Sequence, residues 1–328
     1  MKINTKKKLV ITSLLSVIIV AAILTTVFLL INDNKNPDVI VINKGDYSNS
    51  EFWKVVYAGM MEAASTSDVH FEFVSARYEH EIERQKEIIL ESIKKEPDVI
   101  VLVASDFYEI APYAVKIAEN GIELILLDSD VNVSYEYKRS FIGTNSIKAG
   151  KFLGETAGNN TFSDNKNAII LSHNKGVQTA DDREEGIKQG YGASHILETY
   201  SCKADEDIAY ETTMQLLKDG TDIVNIFCTN ENVTIGAARA VRELNLKDKI
   251  DIYGFDGSKD HVKYLEMGII NYTIIQSPYQ MGYLSINSAI ALIENERIPQ
   301  FVETDYLLIN AENMYDPGYR EILFPFIN

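Results

Sequence analysis

Two similar α/β lobes, each a doubly wound parallel sheet, are what the hydrophobic pattern of this chain predicts. Short runs rich in Val and Ile alternate with helix-length segments, as in βαβ units around parallel sheets. The alternation runs through the first part of the chain and then starts again. The length of 328 residues fits about two domains of ordinary size, and an apolar content of 46% is enough to build a core in each.

The chain opens with Lys2, Lys6, Lys7 and Lys8, followed by an uncharged apolar run from Leu9 to Ile31. A run of that length crosses the roughly 30 Å hydrocarbon core as a helix. The lysines favour the cytoplasmic side, which would put the remainder outside the cytoplasm. A cleaved signal peptide has an apolar region of only about 7 to 15 residues, shorter than this one. No cysteine lies near its end to accept a lipid, so residues 9–31 are expected to be a retained single-pass anchor after a cytoplasmic basic segment, residues 1–8.

The turn formers NDNKNPD, residues 32–38, make a linker, and the fold begins at Val39. Strands are expected at VIVIN, HFEFVS, DVIVLV and IELILLD, with helices at Glu51 to Ser65, His80 to Lys95 and Glu109 to Glu119. Gly121 follows the last of these as a C-cap would. The second series has strands at NAIILSH, HILETYS, DIVNIFCT, KIDIYGF and IINYTII. Its helices begin near Thr179, Asp205, Glu231 and Asp260.

Four polar residues directly follow apolar runs: Asp128 after IELILL, Asn230 after IVNIFCT, Asp256 after DIYGF and Gln276 after IINYTII. Ligands of open parallel sheets bind outside the carboxyl ends of the strands, so these four side chains are expected to converge on one polar ligand. Taken singly they admit plainer roles: Asn230 and Asp256 cap a helix or turn the chain, and Asp128 is a solvated loop acid.

Several functional classes find no support. A formal net charge of −17 repels phosphate backbones. The five histidines show no metal-ligand spacing, and neither G-x-x-x-x-G-K-[ST] nor G-x-G-x-x-G is present, so no metal or nucleotide cofactor is expected. Cys202 and Cys228 read as two buried thiols, although an exported protein permits a disulfide between them.

Five segments in order carry a resemblance: DSDV with FIGTNSIKAGKFLGE, then DDREEGIKQGY, FCTNENVTIGAARAV, YGFDGS and IIQSPYQMGY. Together they resemble the type I periplasmic sugar-binding proteins of the ribose, xylose and galactose group. The resemblance implies that Phe52 and Trp53, in SEFWKVVYAGM, lie against a sugar. It implies further that Asp128, Arg183, Asn230, Asp256 and Gln276 hydrogen-bond it. Ser50 stands where relatives often have asparagine, and Ser129 where a basic residue often follows the aspartate. The resemblance also implies three crossings between lobes, near Ile142, Gln276 and Asp305. One lobe is then 39–142 plus 277–305, and the other 143–276 plus 306–328.

The function implied is binding without turnover: the body closes on a monosaccharide, with a pentose such as xylose favoured. With its anchor, the chain is similar to membrane-held sugar sensors, including xylose sensors, that signal through a membrane histidine kinase. The alternatives are the substrate-binding component of a sugar ABC transporter and, remotely, a glycoside hydrolase using Asp128 and Asp256 as its acid and base.

Overall fold

The central strand runs of the body are apolar on both faces and buried in sheets covered by helices on both sides, whereas the edge runs are only partly buried. The computed structural model describes residues 18–20, 37–160 and 166–323. The expected anchor at 9–31 lies outside the described residues apart from 18–20, which are helical, and no helix among the described residues is long and apolar enough to cross a membrane. Residues up to Pro37 form one unit and Asp38 onward another.

In the second unit the first sheet takes β1 (Val39–Asn43), β2 (Phe71–Ser75), β3 (Val99–Leu102), β4 (Glu123–Leu127) and β5 (Ser140–Gly143), with β11 (Phe301–Glu303) at its edge. Its order is β11-β5-β4-β3-β1-β2 and every pair is parallel. Period-two alternation sends Ile40, Ile42, Ile100 and Leu102 into one core and Val39, Val41, Val99 and Val101 into the other. Helices α1 (Glu51–Ser65), α2 (Ile82–Ile93) and α3 (Ala111–Glu119) link the strands.

The second sheet is ordered β12-β10-β9-β8-β6-β7. Its strands are β6 (Ala168–Ser172), β7 (Ile196–Ser201), β8 (Asn225–Cys228), β9 (Asp251–Phe255), β10 (Tyr272–Gln276) and β12 (Tyr306–Ile309). Its helices are α4 (Ser146–Asn160), α5 (Gln178–Ile187), α6 (Glu206–Lys218), α7 (Glu231–Glu243) and α8 (Lys259–Glu266). Cys202 and Cys228 are both buried and unpaired.

The expectation of two purely parallel sheets needs one correction: β12 runs antiparallel to β10. The chain leaves β10 at its carboxyl end, beside Gln276, and enters β12 at its amino end, where Tyr306 pairs with Gln276. The two strands therefore share the same end of the sheet while running in opposite directions.

Three short segments carry the chain between the sheets: between β5 and α4, between β10 and α9 (Pro278–Ile293), and between β11 and β12. Two of them are tied together, since Thr304 N–H donates to Gly143 O at 3.0 Å and the Thr144 and Thr304 hydroxyls lie 3.3 Å apart. The short α10 (Pro317–Leu323) follows β12.

Candidate functional site

In each sheet the strand order reverses at one point, between β1 and β3 in the first and between β6 and β8 in the second. Crevices form at such switch points outside the carboxyl ends. The two crevices face each other across one cleft lined by Lys44, Ser50, Phe52, Trp53, Glu79, Asp128, His173, Thr179, Arg183, Asn230, Glu231, Asn232, Asp256 and Gln276. All seven residues expected from the sequence are on this wall. The cavity is narrow, about 80 Å³. A larger groove of about 710 Å³, beside Pro97, Asp98 and Asn120, lies at the amino ends of the first sheet, the end where such sheets do not place ligands.

On the first lobe, Asp128 leaves β4 with a left-handed backbone, φ 61°. Aspartate tolerates that region better than most residues. Oδ2 accepts from Lys44 Nζ at 3.0 Å and from the Ser129 hydroxyl at 3.0 Å. Lys44 Nζ donates also to Ser129 Oγ at 3.3 Å, stands 3.9 Å from a Glu79 carboxylate oxygen and sits 5.6 Å from the centre of the Trp53 ring. Burial by itself would lower the Lys44 pKa, but the charges of Asp128 and Glu79 outweigh it and the net shift is upward. The ammonium therefore stays charged although only 4% of the residue is exposed. Ser50 caps α1, its hydroxyl accepting from Trp53 N–H at 3.4 Å, and so fixes where the aromatic pair Phe52 and Trp53 begins.

On the second lobe, Asp256 leaves β9 with φ 68°, the counterpart of Asp128. Gln276 Nε2 donates to its Oδ1 at 2.8 Å. Burial raises the Asp256 pKa, while Arg183 and the Gln276 bond pull it back. Arg183 is 3% exposed; Nη1 donates to Thr229 O at 2.7 Å, the guanidinium lies 4.3 Å from the centre of the Phe255 ring, and Nε has no hydrogen-bond partner among the described residues. A buried guanidinium with an unused donor is costly unless a ligand supplies the acceptor. Asn230 is the N-cap of α7, its Oδ1 accepting from Val233 N–H at 3.1 Å, so its amide N–H groups are what it can offer a ligand. The capping role and the place on the cleft wall coexist in one residue.

Sequence reasoning passed over Lys44, Glu79, His173, Thr179, Glu231 and Asn232. Lys44 and His173 follow β1 and β6, the strands at the two switch points, which was the available signal. His173 Nδ1 lies 2.7 Å from the Thr229 hydroxyl. Burial, with Arg183 and Lys44 adding to it, holds its pKa well below the usual range, so it is a neutral imidazole. It braces Thr229, whose carbonyl holds Arg183. Glu231 accepts from Ser258 N–H at 2.9 Å. Its pKa is pushed up to about 7 by burial, with Asp256 and Glu51 adding to it against the Ser258 hydrogen bonds.

The cleft thus offers acidic acceptors, cationic and amide donors, and an aromatic face. That set matches a molecule whose hydroxyls both donate and accept and which has an apolar C–H face. Residues 38–297 match the family described as periplasmic binding protein domain. The chain belongs to the type I periplasmic sugar-binding proteins. Among similar members is the ribose import binding protein of Haemophilus influenzae, 31% identical over 173 residues, a match that spans 52% of this chain and 58% of that relative. The crystal structure of a sugar transporter from Clostridium phytofermentans superposes with a TM-score of 0.77 at 31% identity, covering 83% of this chain and 98% of the other. A chain of the XylFII–LytSN complex shares the fold, with a TM-score of 0.76 at 24% identity over 84% of this chain and 98% of the other. The named roles of the first two are ribose import binding and sugar transport.

Proposed function

We propose that this periplasmic binding protein is a membrane-anchored extracytoplasmic receptor that closes on one monosaccharide, a pentose such as xylose favoured, and signals closure to a membrane histidine kinase. The observation that carries the binding part is the convergence of Phe52, Trp53 and Asp128 from one lobe with Arg183, Asn230, Asp256 and Gln276 from the other on a single narrow cleft. A ligand that touches both walls binds the closed form more tightly and shifts the population by that difference in affinity.

The closed arrangement has its own contacts away from the three connecting segments. Phe107 N–H donates to Gly176 O at 2.8 Å, and Asp130 N–H to Gln178 Oε1 at 3.3 Å. These bonds join the loop after β3 to the loop before α5, and the turn after β4 to the first residue of α5, and they form only when the lobes meet.

The sensor part is supported by the apolar run 9–31, by the lack of a lipid-accepting cysteine beside it and by the likeness to the XylFII–LytSN complex. The second reading, the binding component of a sugar importer, is favoured by the ribose import relative. Calorimetric titration of the full chain with pentoses and hexoses tests the binding part. One sugar is expected to bind at micromolar or tighter affinity, and Asp256→Ala is expected to weaken it about ten- to hundredfold, the loss of a charge-assisted hydrogen bond. Heat on no sugar in the panel contradicts the reading. Co-purification with a kinase or with a permease separates the two roles.

A further inference from the structure

We infer that Gln178 and Asp182 form an acid-favoured clasp between the lobes, so that the body closes on its sugar more tightly as its surroundings turn mildly acidic; this rests on the sugar-binding reading above. Neither residue is among those that line the cleft, so the clasp acts on closure and not through contact with the sugar.

Gln178 opens α5, and its partners fix which way its amide points. Oε1 accepts from Asp130 N–H of the first lobe at 3.3 Å, and Nε2 donates to Asp182 Oδ2 one turn further along the helix. One side chain thus ties the turn after β4 to a carboxyl of the second lobe. That carboxyl lacks a cation: neither Asp181 nor Asp182 makes an ion pair among the described residues. The adjacent Arg183 turns away from them to Thr229 O and the Phe255 ring. On the facing lobe, Lys138 Nζ donates to both oxygens of Asp130 at 2.6 and 2.7 Å and lies 4.8 Å from the centre of the Tyr135 ring. Asp106 Oδ1 accepts from the N–H groups of Tyr108 and Glu109, and its Oδ2 faces Gly176 of the second lobe. Closure therefore gathers four carboxyls at one seam, Asp106 and Asp130 from the first lobe and Asp181 and Asp182 from the second. Lys138 is the one cation within ion-pair distance of any of them among the described residues.

Charge at this seam resists closure. The Asp182 pKa is pushed up to about 6 by burial, with Asp181 and Asp130 adding to it against the Gln178 hydrogen bond and Arg183. Asp181 is raised as well, by burial and then by Glu184 and Asp106, against the Gly176 hydrogen bond and Lys175. Asp106 and Asp130 belong to the facing lobe, so opening takes their charges away and brings water in. Asp182 is then a stronger acid in the open form than in the closed one, and closure takes up a proton. The resulting preference for the closed form is complete below the ordinary value of 3.8 and is lost as pH rises through about 6. A protonated Asp182 still has an oxygen that accepts from Gln178 Nε2, so the clasp outlasts its charge.

The test is calorimetric titration of the full chain in lipid nanodiscs with pentoses and hexoses, D-xylose first, at about pH 7.5 and about pH 5, for wild type and Asp182→Asn. Asparagine keeps an oxygen acceptor for Gln178 and carries no charge. Asp182→Asn is expected to bind the sugar more tightly than wild type at the higher pH and no more tightly at the lower. Its gain in affinity on acidification should be smaller than that of wild type by up to about tenfold, the share of one carboxyl moved from 3.8 to about 6. Glu231 and Asp256 in the cleft titrate in both proteins, so comparing the two gains isolates Asp182. Equal gains, or weaker binding by Asp182→Asn at both pH values, overturn the inference and leave the residue as a structural part of α5. Should Asp182→Asn fail to fold, carbon NMR of the wild-type Asp182 carboxyl decides: a higher pKa with sugar than without supports the clasp, and equal values overturn it. Silence of the wild type towards every sugar at both pH values removes the sugar-binding reading and this inference with it, an outcome distinct from failure of the clasp alone.

Discussion

Glu231 shows how one partly buried carboxyl links the cleft to pH. Its folded-state pKa of about 7 lies above its ordinary value of 4.5 because burial disfavours the charge and Asp256 and Glu51 repel it. A raised carboxyl pKa contributes stability that is fully present below about 4.5 and is lost as pH rises through about 7. Asp256, Asp251 and Asp181 are shifted the same way, and Asp182 is pushed up to about 6, so these carboxyls lose their stabilising contribution as pH rises, while the buried neutral His173 and His261, whose pKa values are lowered, contribute in the opposite sense. Thermal unfolding of Glu231→Gln across that range should fall less steeply than wild type; an unchanged slope shows that Glu231 does not titrate there. At this scale the sequence was partly legible. Asp128, Asn230, Asp256 and Gln276 each follow an apolar run directly, so strand-end logic finds them. Glu231 and Glu79 sit on a helix and in a loop after a strand, where charged residues are ordinarily solvated, and only the facing lobe makes them part of the wall.

The crossing of α4 and α5 explains the glycines of KAGKFLGE and REEGIKQG as packing rather than chemistry. A Cβ on Gly150 would stand 2.4 Å from Arg183 O, and one on Gly186 would stand 2.2 Å from Ile147 O, so the two backbones touch where a side chain would separate them. Arg183 itself stands at this contact, its carbonyl against Gly150, so the crossing fixes where its helix meets the cleft. Gly150→Ala is expected to cost about 1–3 kcal/mol as an overpacked contact and to weaken sugar binding by moving Arg183. Gly158→Ala on the same helix meets only Tyr191 at 3.9 Å and should leave both properties near wild type. Thermal unfolding and titration of the two variants check this, and equal behaviour of the pair contradicts it. Among elements, the strands with continuous Val and Ile runs were legible, and α1 has the bounds its pattern gives, Glu51–Ser65. The strands β11 and β12 were not, because β11 has three residues with an exposed-intermediate-exposed pattern, and β12 is placed by the connecting segments rather than by its own sequence.

Closure is a property of the whole molecule, and Gly176 offers a way to disturb it without touching the cleft. Its φ of 91° suits glycine, and a Cβ there would stand 2.5 Å from an Asp106 carboxylate oxygen on the facing lobe. The bond from Phe107 N–H to its carbonyl pins that conformation only while the lobes are together. Gly176→Ala should therefore bias the body open by about 1–2 kcal/mol, weakening sugar affinity about tenfold, and X-ray scattering should show a larger radius of gyration at the same sub-saturating sugar concentration. Affinity and radius equal to wild type would show that this contact does not control closure. The central claim, a monosaccharide held between two lobes against an aromatic face, is tested most directly by the emission of Trp53, the only tryptophan in the chain. Titration of the full chain with the calorimetrically identified sugar should give a saturable change in that emission, displaced to higher sugar concentration in Asp256→Ala, a variant on the opposite lobe. A sugar that binds by calorimetry while leaving Trp53 emission unchanged, with wild type and Asp256→Ala alike, would place the ligand elsewhere and contradict the account.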